Sequence, residues 1–308
     1  MKRVTKDLVN RLVRVAKDVV NTLRYLCEVD KSQCLVVNAW MDLYGKEPVH
    51  RNLGDELNYY LIKELTGKRI YNYFNMRFLK IRNYCCIGSI VDSRANGRSR
   101  IWGSGAMYGE GRMQKIPFKV CAVRGPLTRQ YLLAQGVECP AVYGDPALLL
   151  PMIYNPGKRK RYMVGIVPHI YDLDNPLVHN LKQQVSGGGI TVIKMGGYVD
   201  WHDVIDEINE CEFIVSSSLH GLILSDAYNI PNVWVEFSDK VLGNGFKFRD
   251  YFGSVGKSES MNPVRVTSDT KLGSLLEYRE KWRPIEIDLA KLINACPFEI
   301  LPDYKRKS

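Results

Sequence analysis

The stretch FIVSSSLHG, residues 213–221, decides the fold. Phe213 to Ser216 form an apolar run of strand type, and a helical pattern begins at Leu219. A strand that leads directly into a helix is typical of βαβ units. Ligands of open parallel sheets bind outside the carboxyl ends of strands, and three serines and a histidine stand at this point. We therefore predict an α/β protein whose functional site includes His220, since imidazole suits proton transfer near neutral pH.

Strand-like and helical segments alternate on both sides of this stretch, which indicates a mainly parallel sheet in each half. The first half predicts strands at 34–37, 84–87, 101–102 and 119–123, helices at 54–65 and 126–135, and a strand and turn at 141–146. The second half predicts strands at 163–167, 190–194, 213–216 and 233–236, and helices at 177–185, 201–211, 219–228 and 271–295.

A linker is predicted at residues 154–161, where turn formers meet a basic run. The predicted fold class is α/β, with two Rossmann-like domains facing a central cleft. We place the first domain at residues 1–153 and the second at 154–308. The helical end of the chain is expected to return to the first domain.

Composition limits the classes of protein that this chain can belong to. Its 308 residues, 45% hydrophobic and 25% charged, are typical of a globular protein. No run approaches the roughly 20 apolar residues that cross a bilayer, and the N-terminus lacks the features of a signal peptide, so we expect a cytoplasmic protein. The formal net charge of +10 favours anionic partners. No nucleic-acid-binding module is recognisable, so nucleic acid is not expected. The eight cysteines lack metal-binding spacing, which indicates reduced thiols and no metal site.

Residues 2–29 are predicted to form an amphipathic helix. Its apolar and basic positions alternate with helical spacing: Leu8, Leu12, Val15, Val19, Leu23 and Leu26 among Lys6, Arg11, Arg14, Lys17 and Arg24. Two interpretations remain open. The helix either packs on its own domain, or it lies as a basic surface helix at the cytoplasmic face of a membrane, which would suit a lipid-linked substrate.

Other predicted turns carry polar groups that a buried sheet does not need. Gly54 permits close backbone approach, and Asp55 either caps a helix or takes a proton from a hydroxyl. Gly103 and Ser104 follow a strand in a glycine turn that could admit substrate. Arg124 stands before the start of a helix, where free N–H groups favour an anion, so it either binds an anion or forms an ion pair.

Six short motifs connect these turns to a known family. They are NLGDEL at 52–57, AVRGPLTR at 122–129, YGDPA at 143–147, GIVPH at 165–169, SSSLHG at 216–221 and FKFRDY at 246–251. In this order they resemble the polysaccharide pyruvyl transferases, over roughly residues 34–256. The resemblance implies a GT-B-like arrangement of the two domains, with the acceptor on the first and the donor on the second.

The resemblance implies a reaction as well. Members of that family move the enolpyruvyl carbons of phosphoenolpyruvate onto a sugar of a surface polysaccharide or exopolysaccharide repeat unit. The product is a cyclic ketal, and phosphate is released. The expected partners are phosphoenolpyruvate and a glycan acceptor, lipid-linked or soluble. Phosphoenolpyruvate is a co-substrate, and no cofactor or metal is implied.

Roles for individual residues follow from this chemistry. His220 is the candidate acid, and Asp55 is the leading candidate for the base, with Glu56 and Asp145 as alternatives. The donor's carboxylate and phosphate need cationic or N–H partners, for which the candidates are Arg124, Ser217, Ser218, Lys247 and Arg249. The remaining acceptor or cleft candidates are Asn52, Gly54, Gly103, Ser104 and His169.

Two other functions are compatible with the same fold. A GT-B glycosyltransferase would use a nucleotide sugar at the same serine and histidine segment. A non-catalytic glycan- or lipid-binding protein would bind ligands without releasing phosphate.

Overall fold

The computed structural model describes residues 2–44, 47–76, 78–157, 159–185, 187–257 and 261–305, with only the backbone of 2–12 and 44. The strands of this part are β1 Cys34–Val37, β2 Leu43–Tyr44, β3 Glu47–Pro48, β4 Arg69–Asn72, β5 Asn83–Cys85, β6 Ser99–Trp102, β7 Lys119–Ala122, β8 Tyr162–Val167, β9 Ile190–Val192, β10 Cys211–Ser216, β11 Asn232–Glu236 and β12 Val264–Arg265.

The α-helices of the same described ranges alternate with these strands. They are α1 Lys2–Leu26, α2 Leu53–Thr66, α3 Val91–Arg94, α4 Pro126–Ala134, α5 Pro176–Gln183, α6 Trp201–Asn209, α7 Leu219–Ala227, α8 Phe246–Ser254, α9 Leu272–Lys281, α10 Leu289–Asn294 and α11 Pro302–Lys305.

Two five-stranded parallel sheets organise the described residues. The first has the order β4-β1-β5-β6-β7 and the second the order β12-β11-β10-β8-β9. Taken along the chain, each sheet runs its strands as second, first, third, fourth and fifth. The strand order therefore reverses between β1 and β5 in one sheet and between β8 and β10 in the other. Ligand crevices form at such reversals, outside the carboxyl ends of the strands.

The prediction of a mixed α/β protein with two parallel-sheet domains is confirmed. With two exceptions, the predicted strands and helices have counterparts at nearly the same residues. Residues 141–146 form no strand, and only an isolated bridge joins Val123 to Tyr143. The predicted helix at 271–295 is two helices, α9 and α10, because Pro284 interrupts the pattern between them.

The sequence pattern did not predict some of the strands and helices. Strand β4 was not predicted, although it pairs along the whole of β1. Helix α8, which contains the FKFRDY motif, was not predicted either, since its aromatic and charged residues lack a clear apolar stripe. The domain boundary at 153 and 154 remains a prediction.

Helix α1 packs on the first domain through its polar side. Asp18 and Asn21 are buried, whereas the side chains of Val15, Val19 and Leu23 are 50%, 43% and 55% exposed. The predicted stripe positions Lys6, Leu8, Arg11 and Leu12 lie outside the residues whose side chains are described. No helix of the described ranges is both long and apolar enough to span a bilayer.

The end of the described chain returns to the first sheet. The Trp102 indole Nε1 donates to the Leu292 carbonyl over 2.7 Å. Leu292, Ile293 and Ile300 are buried in an apolar cluster that also contains core residues of both sheets. This cluster joins the two sheets into one packed body.

Candidate active site

A cavity of about 460 Å³ lies where the reversal points of the two sheets face each other. Trp40 follows β1, and Gly88 and Ser89 follow β5. From the second sheet, the segment 169–171 follows β8, and the segment 218–220 follows β10. Ligand pockets in proteins are commonly about 300–1,000 Å³, so this cavity can hold a small substrate.

His220 lies between the two domains at the base of this cavity. A Cβ at Gly54, in the first domain, would lie 2.0 Å from the His220 Nδ1, so only glycine lets the imidazole pack here. On its other side, His220 Nε2 lies 4.0 Å from Asp145 Oδ2. Both of these atoms are buried and have no hydrogen-bond partner among the described residues. The imidazole is thus enclosed by two of the predicted motifs, with Nδ1 beside Gly54 and Nε2 toward Asp145.

The surroundings of His220 favour its neutral form. Burial, together with the positive charges of Arg124 and Lys247, lowers the pKa of His220 to about 3. Burial has the opposite effect on the neighbouring carboxyl and raises the pKa of Asp145 to about 7. Asp145 is therefore in exchange between its neutral and charged forms near neutral pH. A bound anion beside His220 would stabilise the imidazolium and raise its pKa again.

Asp55 stands on the cavity wall at the start of α2. Asn52 caps this helix because its side-chain oxygen accepts a hydrogen bond from the Gly54 amide. Its side-chain nitrogen also donates to Asp55 Oδ2 over 2.8 Å. Burial raises the pKa of Asp55 to about 7, although the Asn52 bond and the charge of Lys247 act against the rise. Asp55 therefore has a pKa suited to accepting a proton near neutral pH.

The start of α7 offers N–H groups to an anion. Ser218 is the N-cap and lines the cavity, and its side chain makes no capping bond. The first amides of a helix have no partner within the helix, and its dipole favours negative charge there. Ser217 points away from the cavity, since its hydroxyl donates to Asp172 and accepts from the amide of His169.

Lys247 is the cation of α8 that reaches the cavity. Burial, with the charge of Arg124 next in effect, lowers its pKa to about 8. Arg249 lies outside the lining, where it donates to the Asn244 carbonyl. His169 lines the cavity beside Tyr171, and its pKa is lowered to about 4, mainly by burial.

The sequence predicted that Arg124 binds the donor directly, but Arg124 does not line the cavity. Arg124 is fully buried and donates to the carboxylate of Asp250 over 3.0 Å. It also donates to the hydroxyl of Ser89 and to the Ala106 carbonyl. The AVRGPLTR and FKFRDY motifs thus meet across the two domains, and Arg124 acts on the cavity through its charge from behind the wall.

Three further candidates support the cavity without lining it. Glu56 accepts from the Arg51 amide and from the hydroxyl of Tyr198, which links the two domains. Gly103 packs against Pro146, beside Asp145. Ser104 donates to the Gly88 carbonyl over 2.9 Å. The polar groups of Glu56 and Ser104 are paired within the protein, and Gly103 is closely packed. These contacts hold the loops around the cavity in place.

Sequence reasoning missed several lining residues, namely Trp40, Arg51, Ser89, Met107, Tyr171 and Leu242. Trp40 and Ser89 follow predicted strands, so the rule that places ligands after strand ends could have identified them. Arg51, Met107 and Leu242 lie in loops whose position depends on the tertiary structure, and no sequence signal marks them.

Fold and cavity together define an α/β protein with two parallel-sheet domains and a cavity between them. The family model described as polysaccharide pyruvyl transferase matches residues 117–239 and includes four of the six motifs. The chain is thus related to the polysaccharide pyruvyl transferases, and the resemblance predicted from its motifs is confirmed.

Two curated proteins are similar over most of the chain. The succinoglycan biosynthesis protein ExoV of Rhizobium meliloti is 28% identical over 247 residues, which are 79% of this chain and 73% of that protein. An uncharacterized protein of Acanthamoeba polyphaga mimivirus is 29% identical over 210 residues, which are 67% of this chain and 71% of that protein. No solved structure matches the chain significantly. The comparisons support pyruvate transfer to a polysaccharide as the class of activity.

Proposed function

We propose that this protein transfers pyruvate from phosphoenolpyruvate to two hydroxyls of a sugar in a surface polysaccharide or exopolysaccharide repeat unit. The product is a cyclic ketal, and phosphate is released. The observation that carries the proposal is the position of His220 in one interdomain cavity with Asp55 and Lys247, with the buried Asp145 4.0 Å from its Nε2. The relationship to ExoV, a succinoglycan biosynthesis protein, supports a glycan as the acceptor.

The donor's charges have matching groups in the cavity. Lys247 and the first amides of α7 can bind the phosphate and the carboxylate of phosphoenolpyruvate. Their bonds strengthen as negative charge collects on the departing phosphate. Arg124, held by Asp250 behind the wall, adds positive potential to the same region. A direct bond from Arg124 to the donor would require it to leave Asp250.

The reaction needs one proton donor and one proton acceptor for each stage. A proton added to the methylene carbon of phosphoenolpyruvate produces a methyl group and an electron-poor central carbon. A sugar hydroxyl attacks that carbon, loses its proton, and forms the first C–O bond. Phosphate leaves with the C–O bond electrons, and a second hydroxyl forms the second C–O bond while its proton passes to the departing phosphate, which becomes hydrogen phosphate. One donor and one diol therefore give one ketal and one hydrogen phosphate.

His220 and Asp55 are assigned to these proton transfers. The negative charges of the bound donor raise the pKa of His220, and Asp145 behind its Nε2 stabilises the resulting imidazolium. Nδ1, beside Gly54, then protonates the methylene carbon. Asp55 takes the proton of the attacking hydroxyl, since its carboxylate form is populated near neutral pH. This chemistry calls for no metal or further cofactor.

We further propose that the two domains are arranged as in GT-B enzymes and that the protein works in the cytoplasm, peripheral to the inner face of a membrane. The exposed apolar side of α1 and the basic composition of this helix support contact with an anionic lipid surface. A lipid-linked acceptor would then be presented beside the cavity.

Phosphate release with product analysis tests the proposed function. The protein is incubated with phosphoenolpyruvate and extracted lipid-linked or soluble glycans, and we expect one phosphate for each added ketal, identified by mass. Turnover with a nucleotide sugar but not with phosphoenolpyruvate would contradict the proposal. His220→Ala is expected to lower the rate by about 10²–10⁴-fold while the protein remains folded. His179→Ala, exposed on α5, is the control and should retain the rate.

A further inference from the structure

A second cavity of about 410 Å³ continues the catalytic cavity along the first domain. The two cavities share Trp40 and Arg51 in their linings. The second cavity lies between α1, which contributes Arg14 and Lys17, and the segment that follows the first sheet's β4. A ligand that reacts at His220 can therefore extend past Trp40 into this groove.

Trp40 presents an aromatic surface where the two cavities meet. Trp40 is 53% exposed, and its side chain lines both cavities. One side of the indole is occupied by the guanidinium of Arg94, whose Cζ lies 3.4 Å from the ring centroid. The same guanidinium also stacks on Phe74 at 3.9 Å. Stacking on one side fixes the indole and leaves its other side for a ligand.

The charges in the groove are unequal. Arg14, Lys17 and Arg51 line it, and Asp42, which pairs with Arg51 over 3.1 Å, is the one carboxylate among the lining residues whose side chains the structure describes. Among these described residues, three cations against one anion give the groove a positive charge. The side chain of Arg51 is 71% exposed, so its charge is available to a ligand in solution. A positive groove bordered by an aromatic surface fits a glycan that carries a phosphate or a carboxylate.

We propose that this groove binds the part of the acceptor next to the sugar that receives pyruvate, as an anionic glycan segment. One sugar ring lies with its C–H face on Trp40, and its phosphate or carboxylate lies between Arg14, Lys17 and Arg51. The inference rests on the proposed function for the identity of the acceptor. It assigns binding to α1 residues that lie outside the motifs of the family.

Binding of defined probes tests the groove separately from catalysis. The probes are a neutral glucose tetrasaccharide, the same tetrasaccharide with a reducing-end phosphate, and a tetrasaccharide that contains a uronate. Each is titrated by calorimetry at low salt in the presence of saturating phosphoenolpyruvate, which occupies the donor site. We expect at least one anionic probe to bind about tenfold more tightly than the neutral one, and the difference to shrink at high salt. The stronger of the two anionic probes identifies a phosphate or a carboxylate as the group recognised.

Matched variants locate the site. Trp40→Ala should weaken every probe about tenfold, and Trp40→Phe should restore most of the binding. Phe118→Ala is the control, because Phe118 is also an exposed aromatic residue with a stacked arginine, Arg100. The double variant Lys17→Gln and Arg51→Gln should lower the affinity for the anionic probes to about that for the neutral probe.

Two outcomes would overturn the inference. One is wild-type protein that binds phosphoenolpyruvate but none of the probes, and the other is binding that the Trp40 and cation variants leave unchanged. Absence of both phosphoenolpyruvate binding and phosphate release would instead contradict the proposed function. In that case the probe titrations, repeated without the donor, still decide whether the groove binds anionic glycans.

Discussion

At the scale of single residues, the contact between Gly54 and His220 links the two domains at the reacting position. The two residues come from motifs far apart in the sequence, and they meet only because the α2 and α7 helices begin at the same cavity. The missing side chain at Gly54 leaves space for Nδ1, the nitrogen assigned to proton transfer. Glycine is therefore required at this position because it lets the imidazole approach α2 closely.

Gly54→Ala tests this contact. A Cβ placed 2.0 Å from Nδ1 forces the imidazole or α2 to move, so we expect a loss of about 1–3 kcal/mol in unfolding free energy. The rate of phosphate release should fall about 10²-fold, since catalytic groups tolerate little displacement. Gly273→Ala is the control, because Gly273 is also the second residue of its helix and a Cβ there meets nothing within 4 Å. Equal effects of the two substitutions would contradict the assignment.

The raised pKa of Asp145 predicts how the stability of the folded protein depends on pH. Its pKa in the folded protein is about 7, and in an unfolded chain it is about 3.9. Between these values the folded protein holds a proton that the unfolded chain has lost. The contribution of this group to the free energy of unfolding is therefore fully present below about pH 4. It is lost as the pH rises from there through about 7.

Asp145→Asn removes this loss because an amide stays neutral. We expect Tm to rise by about 2–5 °C at pH 8 and to match the wild type near pH 4, measured by thermal unfolding. Phosphate release should fall at the same time, because the imidazolium of His220 loses its carboxylate neighbour. Asp269→Asn, at an exposed position, serves as the control. A lower Tm than the wild type at pH 8 would show that Asp145 is not destabilised by burial.

At the scale of elements, α1 is unusual because its apolar side faces outward. A helix of a globular domain normally turns its apolar stripe to the core. Here Asp18 and Asn21 take that place, and Val19, Val20 and Leu23 are 43–55% exposed. The amphipathic pattern was read correctly from the sequence, but its orientation depends on the surface that the first domain offers to the helix.

The proposed lipid contact of α1 is testable with vesicles. Wild-type protein should float with phosphatidylglycerol vesicles and much less with phosphatidylcholine vesicles, since the helix is basic. Val19→Ser with Leu23→Ser should weaken this binding by about tenfold, because less apolar surface enters the lipid. Leu133→Ser removes an exposed leucine elsewhere and should have no effect. Flotation that ignores both lipid charge and the α1 substitutions would rule out the contact.

At the scale of the whole molecule, the described part of the chain packs as one body. Helix α8 lies between β11 and β12 of the second sheet in sequence, yet its Asp250 accepts bonds from Arg124 and Thr128 of the first domain. The end of the described chain from α10 to α11, called the tail here, also returns to the first domain, where Leu292 packs beneath the loop at Gly144. The cavity floor therefore depends on contacts between segments that are distant in the chain.

Leu292→Ala tests the contribution of the tail. Truncation of this fully buried side chain should cost about 2–5 kcal/mol in unfolding free energy. Calorimetry should still show one transition, because α8 and the tail couple the two sheets. Leu301→Ala, at a position 40% exposed, is the control and should cost much less. Two separated transitions in the wild type would mean that the sheets unfold independently.

The sequence by itself determined the alternation of strands and helices and the six motifs. These are local properties: the period of apolar residues, the turn formers, and the polar groups that follow strand ends. It identified Asp55, Ser218, His220 and Lys247, which the structure brings to one cavity.

Only the tertiary structure decided which of the remaining candidates reach that cavity. It pairs Arg124 with Asp250 and places Trp40 between the catalytic cavity and the groove of α1. The physical reason is that packing between distant segments sets burial and direction, and a sequence pattern contains neither. The segment that opens at Phe213 thus fixed the fold class, whereas Gly54 and Asp145, from the other domain, complete the surroundings of His220.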